Sequence, residues 1–336
     1  MRIGSAGRRF TAGIVVATIF CAAAVAQQFD QKLFSEMRWR CIGPFRGGRT
    51  VAISGVPHRP NIFYMAAVNG GVWKTTDFGN TWNPIFDDQP TGSVGALAVA
   101  PSDPNIIYVG SGEGLQRPDL ATGDGIYKST DAGKTWTHMQ NLRDAQQITA
   151  ILVDPKDTNR VFVAAEGHPY GPNEERGVFR STDGGQTFQK VLYKDENTGA
   201  ADIAFDPTNP QTIYAVLWAA RVAPWEVRSG ASIYIAGSGL YKSTDGGDTW
   251  KPLTKGLPGA SEGLGRIGIA VAPSDAKRIY VSAEATKGGG VYRSDDAGES
   301  WKQVNADRRI GGRGPGGRAL VGRRQGPARS DVRTCA

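Results

Sequence analysis

Between residues 37 and 306 the chain alternates short apolar runs with clusters of turn residues, and the spacing of apolar positions follows a period of two. The runs NIFYMAAV, NIIYVGSG, RVFVAAEG, TIYAVLWA and RIYVSAEA are rich in β-branched and aromatic residues, as strands are. Four of them follow an apolar run that ends at Pro or Asp: ALAVAPSDP from Ala96, AILVDP from Ala150, DIAFDP from Asp202 and IGIAVAP from Ile267. All five precede a shorter strand: GVWKTTD, GIYKSTD, GVFRSTD, GLYKSTD and GVYRSDD. A fourth strand is expected after each. Outside the first 26 residues no segment sustains a 3.6-residue apolar period, so helix is not expected.

The third and fourth strands are joined by a nonapeptide that recurs five times: KTTDFGNTW, KSTDAGKTW, RSTDGGQTF, KSTDGGDTW and RSDDAGESW. Its aspartates are Asp77, Asp131, Asp183, Asp245 and Asp296, and its closing aromatics are Trp82, Trp136, Phe188, Trp250 and Trp301. The Asp and Ser/Thr side chains suit a turn closed on nearby backbone N–H groups. The glycine two residues after each Asp suits a positive φ. The aromatic starts the next strand and carries a ring large enough to pack on a neighbouring sheet. These residues are expected to be scaffold rather than catalysts. Four strands per repeat of about fifty residues define an all-β protein, a β-propeller with five blades.

The segment MRWRCIG, Met37 to Gly43, resembles a fourth strand without its first three, with Trp39 at the aromatic position. A propeller closes its ring when one terminus completes the last blade, but the fifth repeat already has a fourth strand after Trp301. The five blades are therefore expected to be part of a larger propeller, with open ends prone to self-association.

The flanks differ from the repeats. Residues 1–26 combine Arg2, Arg8 and Arg9 with an apolar run and the small residues Ala24 and Ala26, the layout of a secretory signal too short to remain as a membrane span. Residues 27–36 form an N-terminal segment, and residues 307–336 are Arg/Gly-rich, with almost no large apolar residues, and expected to be disordered or aberrant. The net charge of +7 resides in these flanks: the tail holds eight Arg against two Asp and the signal three Arg with no acid, leaving −2 for residues 27–306. The folded part lacks the basic footprint of a nucleic-acid binder. Cys21, Cys41 and Cys335 make no metal-binding pattern, and neither a metal nor a cofactor is expected. Gly263 to Gly268 matches GxGxxG but leads into a strand rather than a helix, which removes a dinucleotide reading.

The five nonapeptides and their strands resemble the Asp-box, or BNR-repeat, propellers. VNGGVWKTTD, PSDPNIIYVGSGEG and GHPYGPNEERGVFRSTDGG are similar to secreted bacterial proteins labelled glycosyl hydrolase or sortilin-like, related to xyloglucan-active glycoside hydrolases and the sortilin luminal domain. The resemblance implies export to the periplasm or outside and a glycan, peptide or protein ligand. The xyloglucan-active enzymes carry a catalytic Asp in a first-blade YARTDxGGxYR stretch. The matching stretch here, Tyr64 to Lys74, places Val68 at that Asp.

Three loops between second and third strands are enlarged: Gly110 to Gly125, Glu166 to Gly177 and Trp218 to Gly239. They offer Glu113, Arg117, Asp119, Asp124, His168, Tyr170, Glu174, Arg176, Trp225, Glu226 and Arg228 as candidate ligand contacts. Of these, Glu113, Arg117, Asp119, His168, Tyr170, Trp225 and Glu226 are the foremost. No catalytic residue is assigned. Three functions stay open: an exported binding scaffold, a glycoside hydrolase using loop carboxylates, and a fragment without independent function.

Overall fold

The computed structural model describes residues 48–114, 120–168, 170–219 and 237–307. The strand expected around Trp39, the signal and the Arg/Gly-rich tail lie outside these residues, as do Arg117, Asp119, Trp225, Glu226 and Arg228. Twenty strands form five antiparallel sheets of four, each sheet taking consecutive strands in chain order. The protein is a β-propeller with the five blades read from the repeat. Among the described residues the sole helical turn is a 3-10 turn at Ala260–Glu262.

The first strands are Arg49–Val56, Val94–Val99, Ile148–Val153, Thr198–Phe205 and Leu264–Val271. The first of these is absent from the pattern above, because Ser54 and Gly55 interrupt its alternation and Ile53 points into solvent. First strands of successive blades pack on one another and form the inner rim. Ser54, Leu97, Val99, Ile151, Val153 and Phe205 line an apolar depression there.

Second strands are the spine of each blade. Residues 107–111, 161–165 and 213–219 are buried on both faces, since another blade covers each side. In the fifth blade, Ile279–Ala285, burial alternates with exposure, because among the described residues one face has no such cover. Four apolar clusters fill the four spaces between consecutive blades. Each of the four later box aromatics packs backward into one of them. Trp136, for example, stacks edge-on against Phe86 of the first blade at 5.1 Å and donates its indole N–H to the Ile85 carbonyl at 2.7 Å.

The box turn is built alike in all five blades. In the third, Ser181 donates to Asp183 Oδ1 at 2.7 Å and accepts the Gly185 N–H at 2.8 Å. Asp183 in turn accepts the Thr187 N–H at 2.9 Å and the Thr187 hydroxyl at 2.5 Å. The hydroxyl of Thr81, Thr135, Thr187 or Ser300, together with the backbone N–H groups, holds Asp77, Asp131, Asp183 and Asp296 down to about 2. Asp245 is lowered further by Thr249 in the same way. The box glycines have φ between 87° and 95°, a region where a side chain is strained.

Candidate functional site: the strand-end face

The boxes occupy one end of the blades, and the loops between second and third strands occupy the other. Register makes the second-strand ends comparable. In every blade one core residue pairs with the Ser or Thr of the box: Phe63 with Thr75, Ile107 with Ser129, Val161 with Ser181, Ile213 with Ser243 and Ile279 with Ser294. Five positions further along stand Val68, Gly112, Glu166, Trp218 and Glu284. The site that holds a buried valine in the first blade thus holds a carboxylic acid in the third.

Glu166 is 1% exposed, and neither of its carboxyl oxygens has a hydrogen-bond partner. Its position is fixed by the backbone: its N–H donates to the Gln147 carbonyl at 2.9 Å. Gly199 of the fourth blade packs so closely that a Cβ there would lie 2.5 Å from the Glu166 Cα. Burial pushes Glu166 up to about 7, against the opposing pull of Arg266 and Arg176. Trp218 pairs across the sheet with Gly199, and the Arg266 guanidinium lies over its ring at 5.6 Å. Burial also raises Asp202, against backbone N–H donors from Ile269 and Ile203 and the charge of Arg266. The buried Thr198 hydroxyl and Trp218 indole N–H likewise have no hydrogen-bond partner. Buried polar groups left this way usually mark a strained or functional place. These groups form a polar cluster between the third, fourth and fifth blades.

Among the foremost loop residues, Glu113 is buried rather than presented. Arg49 Nη2 donates to its carboxylate at 2.5 Å, and the Ala121 N–H donates to it at 3.0 Å. Its own N–H, like that of Gly114, donates to the side-chain oxygen of Gln147, at 2.6 and 3.1 Å. Gln147 therefore ties both acids, Glu113 by its side chain and Glu166 by its carbonyl. Asp124 accepts the Tyr127 hydroxyl at 2.7 Å, and its carbonyl meets His138 Nε2 at 2.8 Å.

The loop after Glu166 is held from within. The guanidinium of buried Arg176 donates to the carbonyls of His168 and Gly171, and Asn173 Nδ2 donates to the same two carbonyls at 3.2 and 3.0 Å. His168 and Tyr170 remain half-buried and Glu174 exposed on the outside of this loop. Glu166, Asp202 and Arg266 were missed as site residues by sequence reasoning. Aligning the second strands on their pairing with the box would have shown the acid at the position of Val68. Among the described residues no cluster of His, Cys, Asp and Glu could hold a metal ion.

With five four-stranded sheets around one rim and a polar cluster at the strand ends, the chain is a propeller related to xyloglucan hydrolases and sortilin-like domains. The Sortilin-Vps10 family model, described as sortilin, neurotensin receptor 3, matches residues 124–257. The xyloglucanase Xgh74A of Acetivibrio thermocellus is 25% identical over 324 residues, which cover 88% of this chain and 36% of the relative. A probable oligoxyloglucan-reducing end-specific xyloglucanase of Neosartorya fischeri is 22% identical, covering 85% of this chain and 43% of the relative. Among solved structures, the GH74 xyloglucanase from Xanthomonas campestris superposes with a TM-score of 0.59 at 20% identity, over 77% of this chain and 38% of that one. The Niastella koreensis GH74 enzyme gives 0.54 at 23% identity, over 76% and 38%. The chain thus spans less than half the length of each of these four relatives.

Proposed function

We propose that this protein is an exported binding propeller that takes a glycan or peptide on the strand-end face. One observation carries the reading. The loop from Gly167 to Gly177 is an enlarged surface loop held rigid by buried Arg176 and by Asn173, which presents His168, Tyr170 and Glu174 on a fixed platform. Rigid loops bind at lower entropic cost than mobile ones. Among the described residues no helix is long and apolar enough to cross a membrane, and the relatives named as xyloglucanases act on a polysaccharide. Calorimetric titration with a xyloglucan oligosaccharide and with an unstructured peptide library tests the proposal. Saturable binding weakened at least tenfold by Tyr170→Ala or His168→Ala is expected. Binding to neither probe would overturn it.

A second reading, glycoside hydrolysis, has one observation in its favour: Glu166 holds its proton near neutral pH, as a general acid must. Its burial and the valine at position 68 count against it. Release of reducing ends from xyloglucan, abolished by Glu166→Gln or Glu113→Gln, would favour hydrolysis over binding alone.

A further inference from the structure

Each blade grips the next by the same polar clasp on the box face. The first residue of a box and a second-strand aromatic reach the carbonyl of the residue after the box Asp in the following blade. Lys74 Nζ and the Tyr64 hydroxyl donate to the Ala132 carbonyl at 3.0 and 3.5 Å. Lys128 and Tyr108 donate to the Gly184 carbonyl at 2.8 and 2.9 Å. In the third blade, where the aromatic is Phe162, Arg180 alone reaches the Gly246 carbonyl, at 2.9 Å. Lys242 and Tyr214 donate to the Ala297 carbonyl at 2.9 and 3.1 Å.

The fifth blade carries both donors of this clasp, Tyr280 and Arg293. Among the described residues, no box carbonyl lies against them. Tyr280 is 40% exposed, and Arg293 folds back on Asp295 at 2.9 Å. A Cβ added at Gly268 on the same blade would meet nothing within 4 Å.

The first blade carries the matching half. Phe78 follows the box Asp77 with the left-handed φ of 62° shared by Ala132 and Ala297, and its N–H is anchored to the Asn61 carbonyl at 3.1 Å as theirs are to Asn105 and Lys277. Among the described residues no blade grips its carbonyl, and its side chain is 71% exposed. On the same blade, Ile53, Met65 and Trp73 lie in register across three strands. Their counterparts in the fifth blade, Ile269, Val281 and Tyr292, pack into the cluster shared with the fourth. On the first blade no described blade covers the same row: Ile53 is 69% exposed, and Met65 and Trp73 are half-buried.

We propose that the outer face of the fifth blade docks the first blade of a second copy of this chain, head to tail, through Tyr280, Arg293 and the Phe78 carbonyl over the apolar row of Ile53. The interface continues the four already present, with donors, acceptor and apolar row at the same positions of the repeat. Because each copy offers two different surfaces, the contact is heterologous and repeats from copy to copy.

Sedimentation of the full chain across a concentration series tests this, with Ile53→Asp spoiling one surface and Arg293→Glu the other. The wild-type chain is expected to grow in mass with concentration, and each variant to need at least tenfold more protein to associate. Mixing the two variants is the decisive arm, since each retains the surface the other lacks. The mixture should form a complex that stops at two copies, which also shows that both variants are folded. A wild type that stays monomeric up to about 100 µM would overturn the proposal. So would association untouched by either variant, or a mixture that stays monomeric while the wild type associates.

Discussion

Replacing Glu166 by Gln should leave the protein equally stable in mild acid and make it more stable above neutrality. The side chain is fully buried without a hydrogen-bond partner, and its proton is held to about 7 rather than the ordinary 4.5. A group with a raised folded-state pKa contributes stability that is fully present below the unfolded value and is lost as pH rises through the folded one. The window here runs from 4.5 to about 7. Over it the unfolded chain releases the proton that the folded chain keeps, and the cost reaches about 3 kcal/mol. Gln has the same shape and no proton to lose, so it escapes this cost. For a domain of this size the difference is about 6 °C in melting temperature. Scanning calorimetry of both proteins from pH 4 to pH 8.5 should show curves that meet at the acid end and separate toward the basic end. Asp202, raised by burial in the same direction, leaves part of the slope in the variant. Parallel curves, or a variant less stable at pH 8, would refute the reasoning, because they would mean an ionised Glu166 paired with Arg266 or Arg176.

Three further outcomes are expected. The box carboxylates, held down to about 2 by Thr or Ser hydroxyls, contribute stability above their unfolded pKa that is lost as pH falls toward 2; near-ultraviolet circular dichroism should show loosening between pH 4 and 2, and an unchanged signal would contradict it. Ser181→Ala strands the buried Gly185 N–H and should cost about 1–3 kcal/mol by denaturant titration. Lys128→Met and Tyr108→Phe should each cost about 1 kcal/mol, whereas the double variant leaves the Gly184 carbonyl without either donor and should cost more than the two together.

The features legible in the sequence are those made by residues close along the chain. The Ser181, Asp183, Gly185 and Thr187 hydrogen bonds lie within seven residues, so the nonapeptide spells out its own turn, down to the sign of the glycine φ. Strand order followed because alternation and turn chemistry agree. The clasp was not legible, because Lys128 and Tyr108 find Gly184 only 56 and 76 residues away, across a blade boundary. The loop acids misled for a related reason. Glu113 looks like a surface carboxylate until Arg49, 64 residues earlier, turns it inward. Glu166 stands at a loop boundary in the sequence, and only the close approach of Gly199 from the next blade makes it a buried acid.

The two ends of the second strand therefore serve different purposes. At the box end the aromatics Tyr64, Tyr108, Phe162, Tyr214 and Tyr280 vary little, and the first four belong to joints between blades; where the hydroxyl is missing, at Phe162, Arg180 takes over the carbonyl. At the opposite end Val68, Gly112, Glu166, Trp218 and Glu284 share a backbone position and almost no chemistry. A joint repeated around an arc reuses nearly the same groups, whereas the loop ends make different contacts from blade to blade. The two sets of variants should accordingly separate. Glu166→Gln should change the pH dependence of stability and leave association untouched, and Arg293→Glu should change association and leave that pH dependence as it is. A variant of either kind that altered both would mean that the strand ends are coupled through the blade, and the division of labour along the second strand would fail.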